Sequence, residues 1–121
     1  MARILVVDDD KDIRNVFQRA FENAGHEVFI AEDGKVCELL YEKHLPDIVI
    51  LDIIMPAQEG IETILNLKAK HDNVKIIAIS GGGLGVAENY LDNALKFGAK
   101  AVFEKPVNHN ELLKEIDLLL L

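Results

Sequence analysis

Three short runs, Ile4-Leu5-Val6-Val7, Ile48-Val49-Ile50-Leu51 and Ile76-Ile77-Ala78-Ile79, are apolar at every position. A strand with one wet face alternates apolar and polar residues, whereas an unbroken run suits a strand covered on both faces, as in parallel sheets. Between the runs, apolar residues recur at helical spacing. Ile13, Val16, Phe17, Ala20, Phe21 and Ala24 form one stripe that stops at Gly25. Val36, Leu39 and Leu40 mark a second helix, and Ile61, Ile64 and Leu65 a third. Ala87, Tyr90, Leu91, Ala94 and Leu95 mark a fourth that stops at Gly98, and Leu112, Leu113, Ile116, Leu119 and Leu120 a fifth. With weaker strand signals at 27–31 and 101–103, the predicted strands cover 4–7, 27–31, 47–51, 74–79 and 101–103. Parallel strands need crossover connections, so the pattern predicts a doubly wound α/β fold, a five-stranded parallel sheet with helices on both faces.

No repeat, linker or low-complexity tract divides the 121 residues, which are expected to form a single domain, 1–121. Lys and Arg number 13 against 21 Asp and Glu, a net charge of −8. That balance argues against direct binding to nucleic acid or to anionic membranes, both of which need clustered cations. The single cysteine, Cys37, has no internal disulfide partner. Met1-Ala2-Arg3 leads into only four apolar residues and then Asp8-Asp9-Asp10, which does not read as a secretory signal. No apolar run approaches the roughly 20 residues of a membrane span. A cytoplasmic location is therefore expected.

The residues that break the apolar pattern lie where strands end. Asp8 and Asp9 end the first strand, Asp52 follows the third run, Ser80 ends the fourth, and Lys105 lies just past the fifth. In an open α/β sheet, ligands bind outside the carboxyl ends of the strands, where the strand order reverses. In the order 2-1-3-4-5 the first and third strands are neighbours, which gathers Asp8, Asp9 and Asp52. Three carboxylates so close repel unless a cation sits among them. Oxygen ligands without His or Cys favour a hard ion, Mg2+ or in its place Mn2+. A lysine and a hydroxyl opposite suit an anionic group such as a phosphoryl.

The sequence resembles the receiver domains of two-component response regulators over essentially its whole length. Ile4-Leu5-Val6-Val7-Asp8-Asp9 resembles the family's acidic pair after its first strand. Asp47-Ile48-Val49-Ile50-Leu51-Asp52, with Met55-Pro56 and Gly60 beyond, resembles the segment that carries the phospho-accepting aspartate. Ile76-Ile77-Ala78-Ile79-Ser80 resembles the strand ending in the signalling hydroxyl, and Phe103-Glu104-Lys105-Pro106 the Lys-Pro pair, whose peptide bond is usually cis. The resemblance implies a flavodoxin-like (βα)5 fold of order 2-1-3-4-5. It also implies that Asp52 takes a phosphoryl group from the phosphohistidine of a sensor histidine kinase or phosphotransfer protein. Asp9 and Asp52 would bind Mg2+ directly, Asp8 mainly through water, with the backbone carbonyl of Ile54 as a further ligand. Lys105 would pair with Asp52 and then with a phosphoryl oxygen, and Ser80 would hydrogen-bond the phosphoryl group. Such a domain assists its own phosphorylation and dephosphorylation without being an enzyme in the ordinary sense. Its output is the face of helix 4, strand 5 and helix 5, which binds partner proteins or a second copy of the chain.

Two features depart from the family pattern. Val102 stands where a switching Tyr or Phe is common, and Phe103 beside it should face the other side of the sheet. Gly81, Gly82, Gly83 and Gly85 after Ser80 suggest a loosely restrained loop and a late-starting fourth helix. Ile54 and Gly82, each two residues past a site residue, are expected to influence acyl-phosphate lifetime; an apolar Ile54 cannot orient water, which favours a long-lived mark.

Other readings fit less well. A haloacid-dehalogenase-type Mg2+ phosphatase would use Asp8-x-Asp10 but leaves Asp52 and Lys105 unexplained. A flavin carrier would need a Ser/Thr-rich loop after the first strand, and a non-phosphorylated pseudo-receiver would not need the intact acidic set. As a calcium loop, the segment from Asp8 has Ile13 where Gly is required and Arg19 where Glu is required. The glycine run fails the dinucleotide pattern at Val86. Asp10 and Asp12 read as the cap and the first-turn acid of the first helix. His26, His44, His71 and His109 lack metal-ligand spacing and are expected at the surface, and Cys37 reads as packing. Leu118 and Leu121 lie off the stripe of the last helix, so either its final turn frays or an apolar patch faces outward.

Overall fold

The computed structural model describes residues 1–53, 59–81 and 86–121, with the side chains at 59 and 86–91 left aside. Its elements are β1 (Arg3–Val7), α1 (Lys11–Asn23), β2 (Glu27–Ala31), α2 (Gly34–His44), β3 (Ile48–Asp52), α3 (Glu59–Lys70), β4 (Ile76–Ser80), α4 (Val86–Phe97), β5 (Ala101–Glu104) and α5 (His109–Leu119). All strand pairs are parallel, in the order β2-β1-β3-β4-β5. The expected architecture and strand order are thus observed. Boundaries shift slightly: β3 and β4 run one residue further than their apolar runs, so that Asp52 and Ser80 are the last strand residues. A polar side chain at a strand's end does not stop the backbone ladder, which continues to the edge of the sheet.

The unbroken apolar runs are explained by two separate cores. Leu5, Val7, Val49, Leu51, Ile76 and Ala78 face Cys37 and Tyr41 of α2, Ile64 and Leu67 of α3 and Ala94 of α4. Ile4, Val6, Ile48, Ile50, Ile77 and Ile79 face Phe17 and Phe21 of α1 and Leu112 and Ile116 of α5. Register keeps the rows aligned: Val6 lies opposite Ile50, and Ile50 opposite Ile77. A slip of one residue would reverse every side chain, which both cores forbid.

Helix ends follow their sequence signals. Asp10 caps α1, its carboxylate accepting from the N–H groups of Asp12 and Ile13; Asp33 and Asn108 cap α2 and α5 in the same way. Gly25 and Gly98, the expected stops, have φ of +93° and +126°, a region that glycine enters without a Cβ clash. Gly60 serves a different need. A Cβ there would fall within 3 Å of the backbone C and O of Ile53, so α3 can approach the end of β3 only because position 60 has no side chain.

Several apolar residues of the helical stripes are not buried. Val16, Leu65 and Leu95 are exposed, as is Ala24 beyond the end of α1, and Leu39 is 71% exposed. Each helix meets the sheet along one narrow line, and residues at the stripe's margin miss it. Ala87, Tyr90 and Leu91 lie outside the described side chains, and the glycines at 82, 83 and 85 outside the described residues. α5 runs unfrayed to Leu119, with Leu113, Leu119 and Leu120 packed on the core and Leu118 and Leu121 turned outward. The four histidines are half-buried rather than fully on the surface, because an imidazole packs well on other rings. His44 stacks on Phe29 and His109 packs on Phe17. His26 Nδ1 accepts from the Ala2 N–H, and His71 Nε2 lies 3.0 Å from Glu42, tying α3 to α2.

Two predictions follow from this packing. Gly60→Ala should destabilise the fold by at least about 2 kcal/mol in urea melts, since its clash is with backbone that cannot rotate away. Cys37 is completely buried, and burial, aided by Glu38 and Asp33, pushes its thiol up to about 12. Native protein at pH 8 should therefore resist alkylation by iodoacetamide, while urea-unfolded protein reacts fully.

Candidate metal centre

The carboxyl edge of the sheet is built by the ends of β1, β3, β4 and β5. Asp8 follows β1 directly, and its N–H donates to the carbonyl of Ala31 at 3.2 Å, extending the ladder one residue past β1. The turn then tightens as the Asp10 N–H donates to Asp8 Oδ1 at 2.9 Å. Asp52 ends β3, beside Ile79 of β4. The Lys105 N–H donates to the Ser80 carbonyl at 2.8 Å, which carries the β4–β5 pairing one step further and aims Lys105 back over the sheet edge. The Lys105-Pro106 peptide is cis.

These local constraints bring together residues far apart in the chain. One carboxylate oxygen from each of Asp8, Asp9 and Asp52 lies within 4.8 Å of the others. Asp8 and Asp52 are only 2% and 4% exposed, whereas Asp9 faces solvent. Lys105 Nζ donates to Asp8 Oδ2 at 2.9 Å and to Asp52 Oδ2 at 3.2 Å. Burial acts to lower the pKa of this ammonium, but its hydrogen bond to Asp8 and the charges of Asp52 and Asp8 outweigh burial and raise it above the ordinary lysine value. Lys105 therefore stays charged throughout the neutral range. Ser80 is fully buried, its hydroxyl 3.4 Å from the Gly81 carbonyl.

The structure thus gathers Asp8, Asp9, Asp52 and Lys105 as expected, with Ser80 on the adjoining strand. Ile54, whose carbonyl completes the expected ligand set, lies outside the described residues, as do Met55, Pro56 and Gly82. Lys105 pairs with Asp8 as well as with Asp52, and more closely, which the sequence pattern does not foretell. Arg14 is a further addition: its Nη1 donates to the backbone carbonyl of Asp8 at 2.7 Å. Its sequence signal is slight, a cation in the first turns of the helix that follows the acidic pair. Val102 packs into the α2–α3–α4 core and Phe103 into the α1–α5 core, so the two neighbours do face opposite sides of the sheet.

The donor set fits a small divalent ion. Among the described residues it offers carboxylate oxygens from two buried acids and one exposed acid, a hard donor set open to water at Asp9, which suits Mg2+ better than a caged soft metal. Beside Lys105, a groove of about 520 Å3 runs between α1 and the segment after β5, walled largely by Ile13, Val16, Phe17, Pro106 and Val107.

Comparison with known proteins agrees with this geometry. The response regulator receiver domain family matches residues 4–117. The response regulator MprA of Mycolicibacterium vanbaalenii is 34% identical over 98% of this chain, which spans about half of that protein's length. The chemotaxis protein CheY of Listeria monocytogenes is 31% identical, with 97% of each chain covered. The crystal structure of a CheY-like response regulator receiver domain protein from Methanospirillum hungatei superposes with a TM-score of 0.89 at 30% identity, covering 99% of this chain and 94% of that one.

Removing the shared cation should expose the cost of the acid pair. Lys105→Met in EDTA is expected to lose about 3 kcal/mol of stability, because two buried carboxylates are left facing each other. Millimolar Mg2+ should restore much of it. Urea melts with and without the ion check both statements.

Proposed function

Because this chain belongs to the response regulator receiver domain family, we propose that Asp52 accepts a phosphoryl group from the phosphohistidine of a sensor histidine kinase or phosphotransfer protein. The observation that carries this reading is the Lys105 ammonium held between Asp8 and Asp52 at the ligand edge of the sheet. In the transfer, an Asp52 oxygen bonds to phosphorus as the donor's P–N bond breaks, and that bond's electron pair stays on the imidazole. The reaction asks little covalent work of the protein beyond positioning and charge neutralisation. Lys105 lies close enough to Asp52 to exchange its hydrogen bond there for one to a phosphoryl oxygen. Ser80, whose hydroxyl among the described residues makes a long contact to the Gly81 carbonyl, can turn to another phosphoryl oxygen.

Asp9 and Asp52 would hold Mg2+ directly, Asp8 mainly through water, and the Ile54 carbonyl would complete the protein's ligands; Mn2+ could substitute. When bound, the ion supplies positive charge to the phosphoryl oxygens. Asp10 gives its carboxylate to the cap of α1, which leaves the Asp-x-Asp phosphatase reading without its second acid. The domain accepts and releases a phosphoryl group as a signal rather than turning over an external substrate.

The signal would be read as a shift between two surface states, because phosphoryl contacts exist in only one of them. The output face in this reading is α4, β5 and α5, where Leu95, Phe97 and Leu118 are exposed. Its occupant would be an output protein or, on phosphorylation, a second copy of the chain. No helix among the described residues is long and apolar enough to cross a membrane, and a cytoplasmic place belongs to the same proposal.

Incubation with acetyl phosphate and Mg2+ should add one phosphoryl group, read by intact mass, and EDTA should prevent it. Asp52→Asn should abolish the gain. Incorporation that survives this substitution would overturn the assignment. Mg2+ alone should raise the melting temperature of the wild-type protein, since it binds the folded site and not the unfolded chain.

A further inference from the structure

Asp8 is held at four points by four different groups. Its N–H donates to Ala31, its Oδ1 accepts from the Asp10 N–H, its Oδ2 from Lys105, and its carbonyl from Arg14. The first three fix Asp8 itself. The fourth acts on its neighbour, because the Asp8 carbonyl belongs to the planar peptide unit that leads into Asp9. A half-buried guanidinium lies 2.7 Å from that oxygen, and a charged donor so close restrains the plane that carries it. Asp9 is the one member of the acidic trio exposed to solvent, so packing does not hold it as it holds Asp8 and Asp52.

We propose that Arg14 is a positioning residue for the cation site: by gripping the Asp8 carbonyl it keeps the Asp9 carboxylate within reach of Asp8 and Asp52. The proposal rests on the reading that these three acids hold Mg2+. Charge and geometry act in opposite directions here. A guanidinium near the site repels a divalent ion, so loss of its charge alone would tighten binding. Loss of its hydrogen bond frees the peptide plane and loosens binding. The geometric effect dominates, because the charge is partly spent on the carbonyl and screened by solvent, while among the described residues no other side chain grips the peptide unit that leads into Asp9.

The test is Mg2+ binding by calorimetry to wild-type protein, Arg14→Met, Arg14→Lys, Asp9→Asn and the Asp9→Asn, Arg14→Met double variant. Arg14→Met should bind roughly tenfold more weakly, the usual cost of losing a partner that orients a ligand. Its melting temperature in EDTA should stay within a few degrees of wild type. Arg14→Lys, which keeps a donor and the charge, should recover most of the affinity, and it carries the comparison if the Met variant does not fold. In the Asp9→Asn background Arg14→Met should change affinity less than twofold, because the residue it positions is already altered. Equal or tighter Mg2+ binding by Arg14→Met, a Lys variant with no recovery, or a full additional loss in the double variant would overturn the proposal while leaving the metal reading intact. A wild-type protein that binds no Mg2+ would remove that reading and this proposal with it.

Discussion

The ammonium group of Lys105 is the point on which the carboxyl edge of this sheet depends. Two carboxylates, each almost completely removed from water, lie at the ends of neighbouring strands. Unpaired, they would repel each other in a medium too poor in water to screen them. Lys105 Nζ touches both at hydrogen-bonding distance, and it can do so because β5 pairs with β4 up to Ser80. Backbone pairing at the sheet's last position therefore supports a charge balance two strands away. A divalent cation bound among these acids would share the lysine's role of balancing their charge.

The division of the interior into two cores matters for the same edge. Each strand sends alternate residues to the α1–α5 side and to the α2–α3–α4 side, and the site sits where both layers end. Val102 and Phe103, one on each side, couple β5 to both layers just before Lys105. With a small aliphatic residue at 102, the familiar rotation of an aromatic ring at that position has no counterpart here.

Much of this was legible in the chain itself. The unbroken runs at 4–7, 48–51 and 76–79 required strands covered on both faces, and the polar residues that end them marked the sheet edge where Asp8, Asp9, Asp52 and Lys105 meet. Gly25, Gly98, Asp10 and Asp12 read correctly because caps and stops depend on local backbone chemistry. What escaped the pattern depends on tertiary contact. Val16 and Leu39 have the right period but lie at the margin of the contact line, and periodicity does not say how wide that line is. The second partner of Lys105, Asp8, is remote in sequence, and nothing at position 8 or 105 alone announces it. The histidines were expected outside because they lacked ligand spacing, yet ring packing on Phe29, Tyr41 and Phe17 draws three of them partly in.

The contact between Lys105 and Asp8 spans 97 residues. A ribosome therefore delivers the acidic end of β1 well before the lysine that balances it. Until β5 emerges and pairs at the sheet's edge, the Lys105 contacts to Asp8 and Asp52 cannot form. Closing so long a loop is entropically costly, and the ion pair is formed only once that cost is met. The balanced edge is thus available only to a chain synthesised at least as far as its fifth strand.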